Sequence, residues 1–310
     1  MQIFENSNFD FMGKRKMCYA ISAIIIVIGL ISIMMNGGLK YNIDFEGGLS
    51  LEIAPHPIDK NIDYLTVDQV RDALVKNNIT DAEIQEFPVS KSFLIRTKSS
   101  TRIGDTIVEI IKAEFPEHTK GENLIRSQEE VGPRAGADLR KKAVNAVLIS
   151  LLFILAYVWI RFKFTWGIAA ALALFHDTLI TLSILSLAGK EIGMTVLAAL
   201  LTIVGYSIND TIVVFDRIRE DLKIYRKDDE YHVFNRSINE ILGRTAITSF
   251  TTLLADMALL IFGGQVIHDF AFTLLIGIIV GTYSSIFIAT AFIMDTVIAT
   301  KKRSKSAVKK

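Results

Sequence analysis

The stretch IGMTVLAALLTIVGYSINDTIVVFDR, from Ile192 to Arg217, decides the fold. From Ile192 to Phe215 it is apolar and long enough to cross a bilayer as a helix. Asn209 and Asp210 nevertheless lie well inside this apolar run. An ionised carboxylate in hydrocarbon costs roughly 3 kcal/mol or more, so such residues usually face the interior of a helix bundle and carry function. The stretch therefore predicts a membrane-spanning helix with a functional acid.

A simpler explanation of the polar pair is that both side chains only hydrogen-bond a neighbouring helix and stabilise the bundle. We favour that explanation for Asn209. For Asp210 we favour a functional role, because a neutral amide would make the same bond without the cost of the charge.

The rest of the chain has the composition of a membrane protein. Of its 310 residues, 51% are hydrophobic, and the mean hydropathy is +0.39. The apolar residues are concentrated in blocks, which indicates an integral membrane protein with one hydrophilic insert. The formal net charge of +1 excludes nothing, and Cys18, the only cysteine, excludes an intrachain disulfide.

Six apolar runs are long enough to span a membrane. The first follows a basic cluster, and we interpret it as an uncleaved anchor because no small-residue cleavage pattern follows it. The last is longer than one crossing and is expected to tilt or to run into the interface. The runs are Met17–Met35, Ala143–Ile160, Phe164–Leu187, Ile192–Phe215, Thr245–Phe262 and Phe270–Ala299.

A water-soluble domain is predicted between the first two spans, over residues 36–142. The stretch 40–54 alternates like a strand, with Gly47 and Gly48 as a bend. The stretch 66–79 reads as a helix with Thr66 as its N-cap. Further strands are expected at 82–90, 92–99 and 122–131, and a second helix at 101–115. The apolar side of the first helix is expected to hold Val67, Val70, Leu74 and Val75.

The order of these elements, βαββαβ, predicts a ferredoxin-like α+β domain. Gly132 and Pro133 end its last strand before the chain returns to the membrane. The predicted organisation is then an N-terminal segment (1–16), a first helix (17–35), the domain with its re-entry segment (36–142), five helices (143–299) and a basic tail (300–310).

Basic residues predict the orientation of the spans. They are dense before the first span, in the turn after the second, in the loop 217–244 and in the tail. The opposite short turns hold only Lys190 as a firm positive charge. The positive-inside rule therefore predicts cytoplasmic termini and an external domain. A basic cluster between Arg134 and Lys142 disagrees, but it follows a long translocated domain, where the rule is weaker.

Other polar side chains interrupt the spans. His176 and Asp177 lie near the middle of the third run and fit either a local polar pair or a relay station. In the fifth run, four hydroxyls lie along one helix face. Arg244 precedes this stripe, and Asp256 extends it by another turn. Such hydroxyls often bond only their own helix backbone, whereas a hydrated path would need them to be continuous. The stripe consists of Thr245, Thr248, Ser249 and Thr252.

The last span carries Gly277, Gly281, Ser285 and Ala289 at four-residue intervals. This small-residue stripe indicates close helix packing. The chain contains no phosphate-binding loop, no hydrolase nucleophile motif and no metal-ligand spacing. We therefore predict no enzyme activity, no catalytic residue, no cofactor and no metal, and energy supplied by an ion gradient or a partner.

Six stretches spread over nearly the whole chain resemble the SecF branch of the SecD/SecF family, bacterial protein-export membrane proteins of the RND superfamily. They are YNIDFEGG (41–48), VGPRAGADL (131–139), FHD (175–177), GYSINDTIVVFDRIRE (205–220), RTAITSFTTLLA (244–255) and GTYSSIFIA (281–289).

The resemblance implies a location in the bacterial inner membrane and use of the proton-motive force to draw preproteins outward. It implies pairing with SecD and docking to the SecYEG channel, alongside other Sec accessory proteins, with no nucleic acid as partner. It also implies that Asp210 and Arg244 belong to a transmembrane proton path, with Asn209 beside them. Asp256 departs from the family pattern, which is apolar there.

The DFEGG stretch and the charge state of Asp210 each suggest how movement and proton binding are coupled. The DFEGG stretch lies a few residues beyond the first span, so Asp44, Phe45, Gly47 and Gly48 are candidates for a joint between membrane and domain. Burial favours the neutral form of Asp210, whereas a nearby Arg244 favours its carboxylate, so a modest change in geometry can switch it.

Two other classes of protein fit the residues without the resemblance. One is half of an RND-type exporter of small molecules or lipids. The other is an assembly factor without ion coupling, in which the internal charges only hold helices together. Asp210→Asn separates this second class from a transporter, because a structural hydrogen bond tolerates an amide.

Overall fold

The computed structural model describes residues 7–57, 62–87, 90–98, 103–119, 124–162 and 164–308. Contacts within the chain divide it into two units, Tyr41–Asn145 and the combination of Met1–Lys40 with Ala146–Lys310. The first is a small α+β unit and the second is helical.

The α+β unit is built on a four-stranded antiparallel sheet in the order β2-β3-β1-β4. Leu49, Leu51 and Ile53 of β1 are buried together with Phe93 and Ile95 of β3, and the apolar sides of the two longer helices cover them. The elements are α2 (Ile43–Glu46), β1 (Gly48–Ile53), α3 (Val67–Lys76), β2 (Glu83–Phe87), β3 (Ser92–Thr97), α4 (Ile103–Glu114), a 3₁₀ turn (Pro116–His118) and β4 (Ile125–Val131).

The alternation predicts that residues 41–47 belong to the first strand. In the structure they do not. The Asn42 side chain accepts a hydrogen bond from the Asp44 amide at 3.0 Å and caps the single helical turn α2. Gly47 and Gly48 then adopt φ values of 81° and 133°, which glycine tolerates best. The predicted bend is therefore confirmed, but the strand begins only at Gly48, the second glycine of the bend.

Helix α3 begins as predicted at Thr66, which forms a capping box with Gln69. Its buried residues include Val70, Ala73 and Leu74, whereas Val75 is 48% exposed. The prediction that Val75 faces the core was therefore wrong, and Ala73 occupies that side instead.

Six helices in the described part of the chain are long and apolar enough to cross a membrane. The last of them is continuous through a π-helical turn, Ser285–Ala289. Such turns inside α-helices are rare and are frequently found at functional sites. The first five are α1 (Arg15–Met35), α5 (Pro133–Arg161), α6 (Phe164–Leu187), α7 (Met194–Ile224) and α8 (Glu230–Phe262). The sixth consists of α9 (Gly264–Ser284), the π-helical turn and α10 (Thr290–Val308).

Several helices extend beyond their apolar runs. The basic loop expected over 217–244 is instead the end of α7 and the start of α8, joined by residues 225–229. An ion pair between Arg217 and Glu240 joins these two polar ends, and Asp216 of α7 pairs with Arg161 at 2.7 Å, at the end of α5. Hydropathy detects where a helix leaves the hydrocarbon, and it misses the polar turns that follow.

The N-terminal segment packs on the start of α8 through two asparagines. The Asn239 amide accepts from the Phe9 backbone N–H and donates to the Phe9 carbonyl, both at 2.9 Å. Asn235 accepts from the amides of Phe11 and Met12. Residues 9–12 are therefore anchored to α8 by paired backbone bonds.

Small residues set the closest helix contacts. A Cβ added at Gly281 would lie 3.0 Å from the Ser207 Cβ, and one added at Gly277 would meet Ile203. Both positions thus pack α9 against α7 of the same chain. On the other side of the unit, Gly29 of α1 faces Ser183 of α6.

Candidate functional site

Asp210 lies in the middle of α7, facing the start of the apolar part of α8. Its Oδ1 atom accepts a hydrogen bond from the Thr245 hydroxyl at 3.2 Å. Its Oδ2 atom is buried without a hydrogen-bond partner among the described residues. A half-satisfied carboxyl of this kind can accept a proton on the free oxygen without breaking the bond to Thr245.

Arg244 lies one residue before Thr245, the residue that bonds Asp210. The Arg244 side chain is exposed and forms no ion pair with any residue that the structure describes. Its positive charge is therefore not neutralised by a described carboxylate. Asn209 is exposed and no described side chain forms a hydrogen bond with it, so the predicted bond to a neighbouring helix is not seen among the described residues.

His176 and Asp177 form a second polar cluster, buried between four helices. The His176 Nδ1 atom lies 3.0 Å from Asp177 Oδ1, and its Nε2 atom lies 2.9 Å from the Ser22 hydroxyl of α1. The Ser207 hydroxyl of α7 donates to Asp177 Oδ2 at 2.6 Å. Tyr283 of α9 completes the cluster, 3.1 Å from Ser22. Every polar atom of the histidine–aspartate pair has a partner, which suits a buried pair.

The π-helical turn lies between this cluster and the Asp210 site. The Ser285 hydroxyl is 2.9 Å from that of Thr211 and 3.5 Å from the Ser207 carbonyl. The Thr290 side-chain hydroxyl donates to the Ser285 carbonyl at 2.7 Å, across the turn. A run of polar groups therefore connects Asp177, through Ser207, to the residue after Asp210.

The hydroxyl stripe of α8 divides into two kinds of residue. Thr245 and Ser249 are buried and bond other helices: Ser249 accepts from Tyr206 at 3.2 Å and lies 2.8 Å from the Thr282 hydroxyl. Thr248 and Thr252 donate to carbonyls of α8 itself. Asp256 is buried further along the helix.

Sequence reasoning missed Ser22, Ser207, Thr211, Thr282 and Tyr283. Each is a single small or aromatic polar residue within an apolar run, and such residues usually bond their own backbone. Their only signal was their position in a span. The pairing with His176 or Ser249 depends on helix packing.

One group of candidate residues, the predicted joint, lies in the α+β unit. In the α+β unit, Phe45 is buried, and a Cβ at Gly47 would lie 2.8 Å from the Pro133 Cα, so the bend packs against the start of α5. No cluster of three or more histidine, cysteine, aspartate or glutamate side chains suited to a metal occurs among the described residues.

Comparison with known proteins assigns the chain to a family. The sequence model of the family described as protein export membrane protein SecD/SecF, C-terminal, matches residues 111–298. The chain is 43% identical to the protein translocase subunit SecF of Thermodesulfovibrio yellowstonii over 300 residues, covering 95% of this chain and 96% of that protein. It is 44% identical to the protein of the same name from Calditerrivibrio nitroreducens, covering 94% and 95%.

A solved structure is similar over nearly the whole chain. It is the crystal structure of SecDF, a translocon-associated membrane protein, from Thermus thermophilus, with a TM-score of 0.82 and 38% identity. The match covers 97% of this chain but 40% of the SecDF chain. The six helices and the α+β unit therefore correspond to less than half of that larger protein. From the family match and these identities, the chain belongs to the SecD/SecF family of protein-export membrane proteins, alongside relatives named protein translocase subunit SecF.

Proposed function

We propose that the chain is a subunit of the Sec protein-export machinery that pairs with SecD and couples proton flow to the outward movement of preproteins through SecYEG. Its relatives are named subunits of the protein translocase. The similar SecDF chain is translocon-associated, and this chain spans 40% of it. The remaining part of such an assembly is then supplied by a separate SecD chain. In this role the protein is a transport subunit and has no enzyme activity.

The observation that carries the proton coupling is the environment of Asp210. One carboxylate oxygen is bonded by Thr245 and the other is buried without a described partner, and the exposed Arg244 lies one residue before Thr245. Approach of Arg244 favours the carboxylate, and withdrawal of α8 favours the neutral acid. Movement of α7 against α8 can therefore load and unload a proton.

The size of the driving force sets what one proton can do. One elementary charge crossing the membrane potential is worth about 2.3 kcal/mol per 100 mV. This energy can bias a rearrangement between two states, but it cannot drive a long polypeptide across in one step. We therefore expect many proton cycles for each exported chain.

The surrounding polar residues have two roles in this proposal. Ser249 bonds neighbouring helices and forms the hydrated side of the path with Thr245, whereas Thr248 and Thr252 line the helix next to them. The His176–Asp177 cluster positions α7 against α1 and α9 and can relay a proton through Ser207. Asn209 faces outward, where it can contact a helix of SecD.

For the α+β unit, we propose a ferredoxin-like domain outside the inner membrane. The element order and the sheet order β2-β3-β1-β4 support this assignment. The bend that contains Asp44, Phe45, Gly47 and Gly48 then acts as a joint that transmits movement of the helices to the domain. Both termini and the turn 225–229 lie on the cytoplasmic side.

Cysteine labelling tests this orientation. In a chain carrying Cys18→Ser, we expect Lys227→Cys to react only with a membrane-impermeant thiol reagent added from the cytoplasmic side, because it lies in the basic turn between α7 and α8. Asp63→Cys, in the α+β unit, is expected to react only from the outside. Both positions are exposed on the protein surface, so labelling depends only on which side of the membrane the reagent can reach. Reversed labelling would overturn the orientation.

Export in membrane vesicles tests the function itself. Vesicles containing SecYEG, SecD and this chain are expected to complete export faster under an imposed proton gradient than without one. Vesicles that lack either SecD or this chain are expected to lose the difference. Stimulation by this chain alone would point to a self-sufficient exporter, and equal export with and without the gradient would point to an assembly factor.

A further inference from the structure

A further carboxyl group, which belongs to neither polar cluster described above, is buried in the helical unit. Asp256 of α8 is 2% exposed, and neither of its carboxylate oxygens has a hydrogen-bond partner among the described residues. Thr245, Ser249 and Asp256 are spaced by four and seven residues, so all three lie on one face of α8, and all are buried. Asp256 thus continues the inner face of the helix beyond the hydroxyls.

The contacts of α8 define what lies level with Asp256. Thr245 bonds Asp210 and Ser249 bonds Tyr206, so α7 runs antiparallel to α8. Helix α9 follows α8 directly after Gly263 and packs back along it, with Thr282 level with Ser249, so α9 is antiparallel to α8 as well. In that register, residues 196–203 of α7 and 271–278 of α9 face Asp256. These stretches, VLAALLTI and AFTLLIGI, contain no titratable or charged side chain.

The charged groups on the helices around Asp256 lie at other levels of the bundle. At one end, Arg244 lies twelve residues away along α8, about 18 Å. At the other, Asp269 is paired with Lys190 at 2.8 Å, next to His268. On α10, Asp295 is paired with Arg15 at 3.0 Å. Asp256 is therefore a buried acid without a counter-charge in the described part of the chain.

The chemistry of the site selects a proton as its ligand. A buried carboxylate with neither a cation nor a hydrogen-bond donor beside it is costly, and the group avoids the cost by neutralisation. A hard metal cation needs several oxygen ligands, and no suitable cluster of acidic or histidine ligands is present among the described residues. A proton needs only one carboxylate oxygen.

We propose that Asp256 is a second proton-binding group of the helical unit, in series with Asp210 on the far side of the hydroxyl cluster of Tyr206, Ser249 and Thr282. Water bridges the distance of about 10 Å along the axis between Ser249 and Asp256. In the proposed orientation, Asp256 lies on the outer side of Asp210 and receives the proton first. This inference rests on the proposed function of Asp210.

Labelling with a hydrophobic carbodiimide tests whether Asp256 carries a proton. The reagent enters the membrane and modifies protonated carboxyl groups there. In membranes that contain the chain with SecD, we expect the label at Asp256, identified by mass spectrometry of the peptide, and a decrease as the pH is raised. Asp228, an exposed acid in the turn before α8, is the control and is expected to remain unlabelled. No label at Asp256 at any pH would overturn the proposal.

Export distinguishes a proton-binding role from a structural one. Asp256→Asn and Asp256→Leu are expected to lose part of the gradient-stimulated export and to change its pH dependence, while gradient-independent export stays intact. Thr251→Val is the control on the same helix, because Thr251 is exposed and bonds only carbonyls of α8. Wild-type export by both Asp256 variants at every pH would overturn the proposal. It would leave the proposed function standing if Asp210→Asn still lost coupling.

Discussion

Replacing Asp210 by asparagine should leave a chain that folds and pairs with SecD but has lost all gradient-stimulated export. The amide keeps the size of the carboxyl, and its oxygen can still accept the hydrogen bond that Thr245 makes at 3.2 Å. It cannot take up or release a proton. The coupling energy of about 2.3 kcal/mol per charge and 100 mV, which is roughly fifty-fold in an equilibrium constant, is therefore lost.

The measurement is export in vesicles with and without an imposed proton gradient, together with the recovery of SecD during purification of the variant. Asp210→Glu keeps the titratable group and is expected to retain part of the stimulation. Arg244→Lys keeps the charge but loses the planar guanidinium, and we expect it to be impaired. Full gradient stimulation in Asp210→Asn would remove this residue from the mechanism and leave Asp177 and Asp256 as the next candidates.

The parts of the fold that depend on composition could be predicted from the sequence. Each span is a run of apolar residues, and the requirement that a helix satisfies its own backbone in lipid makes such runs reliable. The order of strands and helices in the α+β unit could also be predicted. The polar ends of α7 and α8 could not, because they lie beyond the apolar runs and are held by pairs such as Arg217 with Glu240.

Predictions for single positions failed where a local bond competed with a pattern. The alternation over residues 41–47 favoured a strand, but the Asn42 side chain satisfies the Asp44 amide and starts a helical turn instead. Val75 fits the apolar period of α3 but lies at its exposed edge. One hydrogen bond can change the local secondary structure, and a small rotation of a helix can expose a side chain. Neither can be predicted from the apolar pattern of the sequence.

For the candidate site, sequence identified the titratable groups but not their partners. Asp210, Arg244, His176 and Asp177 stand out as polar residues in or beside apolar runs. The bonds of Asp177 to Ser207 and of Asp210 to Thr245 join residues 30 and 35 positions apart. Which helix faces they share depends on packing, and the small residues that determine this packing act through the absence of a side chain.

Gly29 of α1 lies in close contact with the backbone of a neighbouring membrane helix. A Cβ added there would lie 2.6 Å from the Cα of Ser183 in α6 and would overlap the Ser183 side chain. A backbone atom in the middle of a helix cannot move aside as a flexible side chain can. Gly29→Ala is therefore expected to push α1 away from α6 and to cost about 1–3 kcal/mol of stability.

The displacement should also reach the buried polar cluster. Ser22 lies seven residues before Gly29, on the same face of α1, and its hydroxyl is 2.9 Å from His176 Nε2. Moving α1 outward breaks this bond and leaves a buried histidine nitrogen without its partner. Gly29→Ala should thus lower gradient-stimulated export as well as stability, although Gly29 itself carries no chemical group.

Gly205→Ala provides the matched control for this last prediction. Gly205 also lies inside a membrane helix, α7, but a Cβ added there meets nothing within 4 Å. Thermal unfolding of the purified chains in detergent should show a lower Tm for Gly29→Ala and a wild-type Tm for Gly205→Ala. Equal Tm values for the two variants would mean that α1 and α6 are not in the close contact seen here. The hydrogen bond between Ser22 and His176 would then no longer support the proposal that the His176–Asp177 cluster positions α7 against α1.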